Sequence, residues 1–217
     1  MNMFVAWGKP LAAAAFLMSG VLALQGGAAA QSAALPPLPV VEATYAAVGE
    51  ITSVPYGWIG FCQRYSGECD HGTLPATDIN LSAHAWQEIS RINAWVNTTI
   101  QPVSDEDHWG VADQWDYPMD GKGDCEDYAL LKRRLLIARG FPRQALLITV
   151  VKDEHDEGHA ILTLKSNHGE FILDNLSDKV RPWTQTPYRF VKRQSQTDEN
   201  TWVRVGPPTE APAYVSR

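Results

Sequence analysis

Gly121-Lys122-Gly123-Asp124-Cys125-Glu126-Asp127-Tyr128 places a thiol in the first turn of a helix. Asp124 suits an N-cap, and Asp127 three residues on approximates a capping box. Tyr128, Leu131, Leu135 and Ala138 repeat at helical spacing. Arg139, Gly140 and Pro142 then form a stop signal. The spacing predicts a helix over Cys125 to Arg139.

Two other cysteines, Cys62 and Cys69, lie in a stretch punctuated by Gly and Pro. Their six-residue spacer fits a small disulfide loop, since bridged Cα atoms approach to about 5.5 Å. One such pair is weak support for zinc. Cys125 is the thiol left over, and its compartment makes that informative. Residues 1–30 carry Lys9 as their one charge, an apolar run from Leu11 to Leu24 and a small-residue Ala28-Ala29-Ala30 end. This is the pattern of a cleaved secretory signal, and the run is too short and Gly-interrupted for a span of roughly 20 apolar residues. The expected location is the bacterial periplasm, with secretion beyond the cell as the second reading. No stable membrane insertion is expected after the signal is removed.

Without Lys9 the remainder holds 17 basic and 25 acidic residues, a formal −8. Nucleic-acid binding is thereby disfavoured, because it rests on Lys and Arg neutralising phosphates. The expected organisation is a signal peptide at 1–30, a flexible leader at 31–53, one domain at 54–205 and a tail at 206–217.

Upstream of the octapeptide, Leu81, Ala85, Ile89, Ile92 and Val96 predict a helix within 78–99, capped by Asp78 or Ser82. The polar, aromatic-rich stretch 101–123 reads as a loop long enough to serve a site. Downstream, 145–151 reads as a buried strand. Residues 159–165 and 170–174 alternate around a turn at Asn167-His168-Gly169, and 188–194 and 201–205 add short strands. Helices followed by an antiparallel sheet make an α+β fold.

Matching apolar faces in the hairpin requires cross-strand residue numbers that sum to 335. Leu162 then faces Leu173, Leu164 faces Phe171, and Lys165 can pair with Glu170. His159 and Asp174 become diagonal neighbours, roughly 7 Å apart at Cβ. An aspartate that orients an imidazole leaves the second ring nitrogen to take a proton from a nucleophile. A thiol at a helix N-terminus beside such a histidine favours the thiolate. Cys125, His159 and Asp174 therefore read as nucleophile, base and orienting acid.

The same segments resemble the bacterial transglutaminase-like cysteine peptidases, a family that includes the LapG-type periplasmic proteases. The resemblance rests on Gly123 to Tyr128, Lys132, Gly140-Phe141-Pro142, His159-Ala160 and Leu173-Asp174-Asn175. It implies a papain/transglutaminase-like fold, an acyl-thioenzyme route and a protein or peptide substrate. In the LapG type it further implies an inner-membrane regulatory receptor and calcium dependence. The Cys62–Cys69 loop departs from that subgroup.

Carboxylates crowd Cys125 and repel a thiolate. A calcium ion held by hard oxygens would offset them, and by similarity Asp124, Glu126 and Asp127 are the expected ligands. The Cys125 N–H, with Trp109 or Trp115, is the expected oxyanion donor. His155 and His159 stand four apart without the helix a zincin site needs. Two further readings share these residues: a protein-glutamine transglutaminase or amidase, and a noncatalytic calcium-dependent binding module.

Overall fold

The structure, a computed structural model, describes residues 37–39, 42–207 and 210–215. The expected signal peptide lies outside the described residues. Among the described residues no helix is long and apolar enough to cross a membrane.

The octapeptide helix is α4, Cys125–Ala138. Its stop signal acts as read: Gly140 takes φ +86°, and Phe141 N–H returns to the Leu136 carbonyl. Asp124 holds the N-cap position without a side-chain cap bond, and Asp127 Oδ1 instead accepts from the Asp116 N–H at 2.7 Å. Leu130, Leu136, Lys132 and Arg133 are all buried, so α4 is covered on several sides and not along one stripe.

Before α4 come β1 (Val48–Thr52), α1 (Tyr56–Arg64), α2 (Ala83–Thr99), β2 (Gln101–Pro102), α3 (Asp105–Trp109) and β3 (Lys122–Gly123). After it come β4 (Leu146–Lys152), β5 (Gly158–Ser166), β6 (Gly169–Asp174), β7 (Ser177–Pro182), β8 (Arg189–Gln194) and β9 (Trp202–Val205). Seven strands form a sheet in the order β1-β9-β8-β4-β5-β6-β7, antiparallel throughout, and β2 and β3 form a short parallel pair.

The hairpin takes the register read from its faces: Leu162 pairs with Leu173, Leu164 with Phe171 and Lys165 with Glu170. Ala160, Leu162, Leu164, Phe171 and Leu173 join one apolar cluster with Leu130 and Leu136 of α4 and Ile89 of α2. Ile161, Ile172, Val151 and Phe190 form a second, smaller cluster. Helix α4 packs on β4 and β5, and α2 packs on α4 and β7. Ser82 caps α2 by accepting from the Ala85 N–H at 3.1 Å.

Several expectations are corrected. The leader assigned to 31–53 contains β1, whose pairing with β9 places it in the sheet, and Ala46 before it is buried. The tail assigned to 206–217 is not loose over its described part, because Val215 is buried in the main cluster. Residues 101–123 contain α3, capped by Ser104. Lys165 turns to Gln196 at 2.7 Å, while buried Glu170 takes the Arg193 guanidinium at 2.8 Å. A carboxylate without exposure needs charge-assisted partners more than an exposed one does.

Helix α1 hides in a stretch whose Pro55, Gly57 and Gly60 suggest a loop. Cys62 at its C-terminal end is bridged to Cys69, with Cα atoms 5.6 Å apart. Trp58 and Phe61 bury themselves among Trp115, Tyr117 and Trp202. Gly57 is required for this contact, since a Cβ there would lie 2.1 Å from Cδ1 of Trp115. Ala ordinarily stabilises a helix over Gly by about 1 kcal/mol. Gly57→Ala should do the reverse, lowering the free energy of urea unfolding by about 1–3 kcal/mol through overpacking. Gly60→Ala, which meets only the flexible end of Arg64, should be neutral or stabilising.

Candidate active site

The start of α4 lies against the start of β5. Cys125 Sγ accepts from the Ala160 N–H at 3.4 Å and donates to Glu126 Oε2 at 3.1 Å. One residue before Ala160, His159 Nε2 meets Asp174 Oδ1 at 3.0 Å. The three residues read from the sequence as nucleophile, base and orienting acid are thus brought together by α4, β5 and β6. Cys125 and His159 are 1% and 0% exposed, so the reacting groups sit beneath the surface.

Each polar atom of this group has a defined neighbour. Asp174 Oδ1 also accepts from the Leu176 N–H, and Oδ2 accepts from the Tyr188 hydroxyl at 2.5 Å. With Nε2 committed to Asp174, His159 Nδ1 is buried and without a hydrogen-bond partner among the described residues, and Cys125 is the group beside it. Burial alone would push the His159 pKa down. The bond to Asp174 and the neighbouring Cys125 outweigh it and raise the ring to about 10. Burial likewise disfavours charge on Asp174, but His159 and Tyr188 hold its carboxyl below the usual range. The pair is therefore built to keep an imidazolium beside the thiol.

Lys132, two turns along α4, is fully buried, and its Nζ has no hydrogen-bond partner among the described residues. Burial pushes it down to about 7, against the pull of Asp174 and Asp178. It adds positive potential on the Asp174 side of the site whenever it is protonated.

Beside Cys125 stand three buried carboxylates. Oxygens of Asp105, Asp124 and Glu126 lie within 4.8 Å of one another. Burial and Asp124 raise Asp105 to about 6. Burial, then Cys125 and Asp124, raise Glu126 well above the ordinary range. Glu126 Oε1 is buried with no hydrogen-bond partner among the described residues. Hard oxygens gathered at this spacing, with Asp105 and Glu126 made costly to ionise by burial and by their neighbours, fit a divalent cation. Two of the expected ligands, Asp124 and Glu126, stand in this group beside Asp105 of α3, while Asp127 packs beneath Gly123 and accepts from the Asp116 N–H.

Other expectations are resolved by position. Trp115 is fully buried and donates from Nε1 to Asp113 at 3.0 Å, so it is a core residue and not an oxyanion donor. Trp109 is about half exposed and stacks on His108. The Cys125 backbone N–H lies at the first position of α4, among the N–H groups that have no partner within the helix. His155 is exposed, against Asp153, while His159 is buried with Nε2 on Asp174, so the two histidines share no site. Asp105 and Tyr188 were not identified from the sequence. The long acidic segment before the octapeptide was a signal for Asp105; a lone tyrosine in a short strand region gave none for Tyr188.

No curated protein matches the chain. Among solved structures, calcium-bound Legionella pneumophila LapG aligns with TM-score 0.47 and 24% identity, covering 57% of this chain and 72% of that one. The EGTA-treated form aligns with TM-score 0.47 and 22% identity, covering 58% and 69%. A third LapG structure from the same organism gives 0.43 and 25%, covering 49% of this chain and 61% of that one. The description of bacterial transglutaminase-like cysteine proteinases matches residues 48–210, which takes in β1, every strand of the sheet and all three residues of the Cys-His-Asp group. The chain belongs to the bacterial transglutaminase-like cysteine proteinase family.

Proposed function

We propose that the chain is a periplasmic, calcium-dependent cysteine endopeptidase that cuts a protein substrate with Cys125, His159 and Asp174. The observation that carries this reading is the bond between His159 Nε2 and Asp174 Oδ1, with Nδ1 left without a partner among the described residues and Cys125 beside the ring. Periplasmic action rests on the signal-like residues 1–30 and on the bridged Cys62–Cys69 pair, which suits an oxidising compartment. A surface protein is the substrate class such a location favours.

The Cys125 thiolate attacks the scissile carbonyl carbon, and its own backbone N–H at the α4 N-terminus faces the developing oxyanion. As the C–N bond breaks, His159 gives its proton to the leaving amine. Water then attacks the thioester, His159 takes a proton from it, and the Cys125 thiolate leaves as the acid product forms, restoring thiolate and imidazolium. Asp174, fixed by Tyr188 and the Leu176 N–H, holds the ring in place through both steps. Asp105, Asp124 and Glu126 would hold the calcium ion, which supplies positive charge where buried carboxylates would otherwise oppose the thiolate.

Cys125→Ala should lower hydrolysis of an unfolded protein substrate by on the order of 10⁴-fold. The raised His159 pKa sets the sign of the pH effect. The general acid stays protonated below its folded pKa and is lost as pH rises through about 10, so kcat/KM should fall on that side. Asp174→Asn removes a group that raises the ring, so the alkaline limb should move to lower pH. An unshifted limb would remove His159 from the acid role.

Calcium at about 100 Kd should stabilise the folded chain by about 2.7 kcal/mol, which corresponds to a rise in Tm of roughly 5–10 °C. EGTA should reverse that rise and depress hydrolysis together. Asp105→Asn should abolish the rise in a thermal melt. If Asp127→Asn abolishes it and Asp105→Asn does not, the ligand set returns to the acids flanking the thiol.

A further inference from the structure

The catalytic group is buried, and the segment Ala211–Val215 runs beside the start of β5, the strand that carries His159 and Ala160. Gly158, the residue before His159, packs directly on this segment. A Cβ at Gly158 would lie 2.3 Å from the Tyr214 carbonyl oxygen and 2.8 Å from Pro212 Cβ. At its other end, Val215 donates from its N–H to Asp113 Oδ1 at 3.4 Å. The Val215 side chain is 3% exposed and joins the apolar cluster that contains Cys125, Trp115 and Ala160.

The segment does not fill the space it lies in. A cavity of about 250 Å³ opens along it toward Val54, Tyr56, Trp115 and Val150. A second, of about 470 Å³, opens toward Lys152 and Glu157, where Pro212, Ala213 and Tyr214 form the other wall. A groove thus runs past Gly158 and continues beyond the five residues that occupy it. Its floor is backbone at Gly158, where another backbone can approach only because no side chain intervenes. Its occupant is Ala-Pro-Ala-Tyr-Val, a run with no charge.

We propose that this groove is the substrate-binding groove, that it takes an extended peptide of small and apolar residues, and that Ala211–Val215 occupies it in cis. The inference rests on Cys125 as the nucleophile. Substrate and segment then compete for one surface, and the tethered segment lowers apparent affinity by the fraction of molecules in which the groove is open. Because the segment is held at a high effective concentration, a free peptide of the same sequence should bind at millimolar levels once the segment is gone.

The test uses the chain truncated after Pro207 and the full-length Val215→Asp variant, each compared with the intact chain. Cys125 alkylation by iodoacetamide and hydrolysis of an unfolded protein are measured in all three. Both variants should alkylate at least about tenfold faster, as expected where roughly a tenth of molecules are open at a time. The blocked peptide of residues 210–215 at millimolar concentration should slow the truncated chain again. Unchanged alkylation in both variants, or a peptide without effect, overturns the proposal. So does loss of cooperative unfolding in both variants, since the segment would then be a structural strap. Faster alkylation with peptide protection but no hydrolysis by any form keeps the groove and removes the peptidase mechanism. Hydrolysis that depends on Cys125 but ignores both changes and the peptide does the opposite.

Discussion

The contact of the α4 N-terminus with the first residues of β5 is the constraint on which the site depends. Cys125 Sγ sits 3.4 Å from the Ala160 N–H, so the helix can deliver its thiol only if β5 is in register beneath it. That register is fixed by apolar burial. Ala160, Leu162 and Leu164 face α4, and a slip of one residue would turn all three to the opposite side. The same alternation places His159 next to Ala160, and the β5–β6 pairing brings Asp174 to it. Catalytic geometry here follows from core packing, with the hydrogen bonds of Asp174 to Tyr188 and the Leu176 N–H supplying the final orientation.

Electrostatics divide the site into two halves. His159, Asp174 and Lys132 form one, and Asp105, Asp124 and Glu126 the other. Burial acts on both, but in the first half charges of opposite sign meet and an ion pair persists. In the second, charges of one sign meet, and Asp105 and Glu126 both shift upward. An isolated group of buried carboxylates opposes both folding and a thiolate. A divalent cation held by the second group, as proposed, would reconcile the two halves and tie calcium to catalysis.

The hairpin and α4 were legible in the sequence because each is encoded locally, in a period of two around a turn and in a helical repeat closed by Gly140 and Pro142. The His159–Asp174 pair followed from that register, and Cys125 joined it through its place at a helix N-terminus and the family motif. What escaped was encoded at a distance. Helix α1 reads as a loop because Gly57 and Gly60 have low helix propensity, and only Trp115, far along the chain, explains Gly57. Strand β1 borders the sheet with four of its five residues exposed, so it carries no alternating apolar signal. Strand β7, at the other edge, has three of its six residues exposed. Asp105 reaches the carboxylate group through α3, a placement that no local pattern encodes. The segment Ala211–Val215 looks like a tail by composition, and its place beside Gly158 depends on contacts with residues far from it in sequence.

The central claim is that Cys125 becomes acylated by the substrate. Its most direct test is intact-mass analysis of the chain, acid-quenched early in turnover of an activated peptide ester, followed by digestion to locate the adduct. The account predicts a thioester on the peptide carrying Cys125, present in the unaltered chain and absent after His159→Ala. Turnover that proceeds with no adduct at Cys125, or with acylation at another residue, would contradict it.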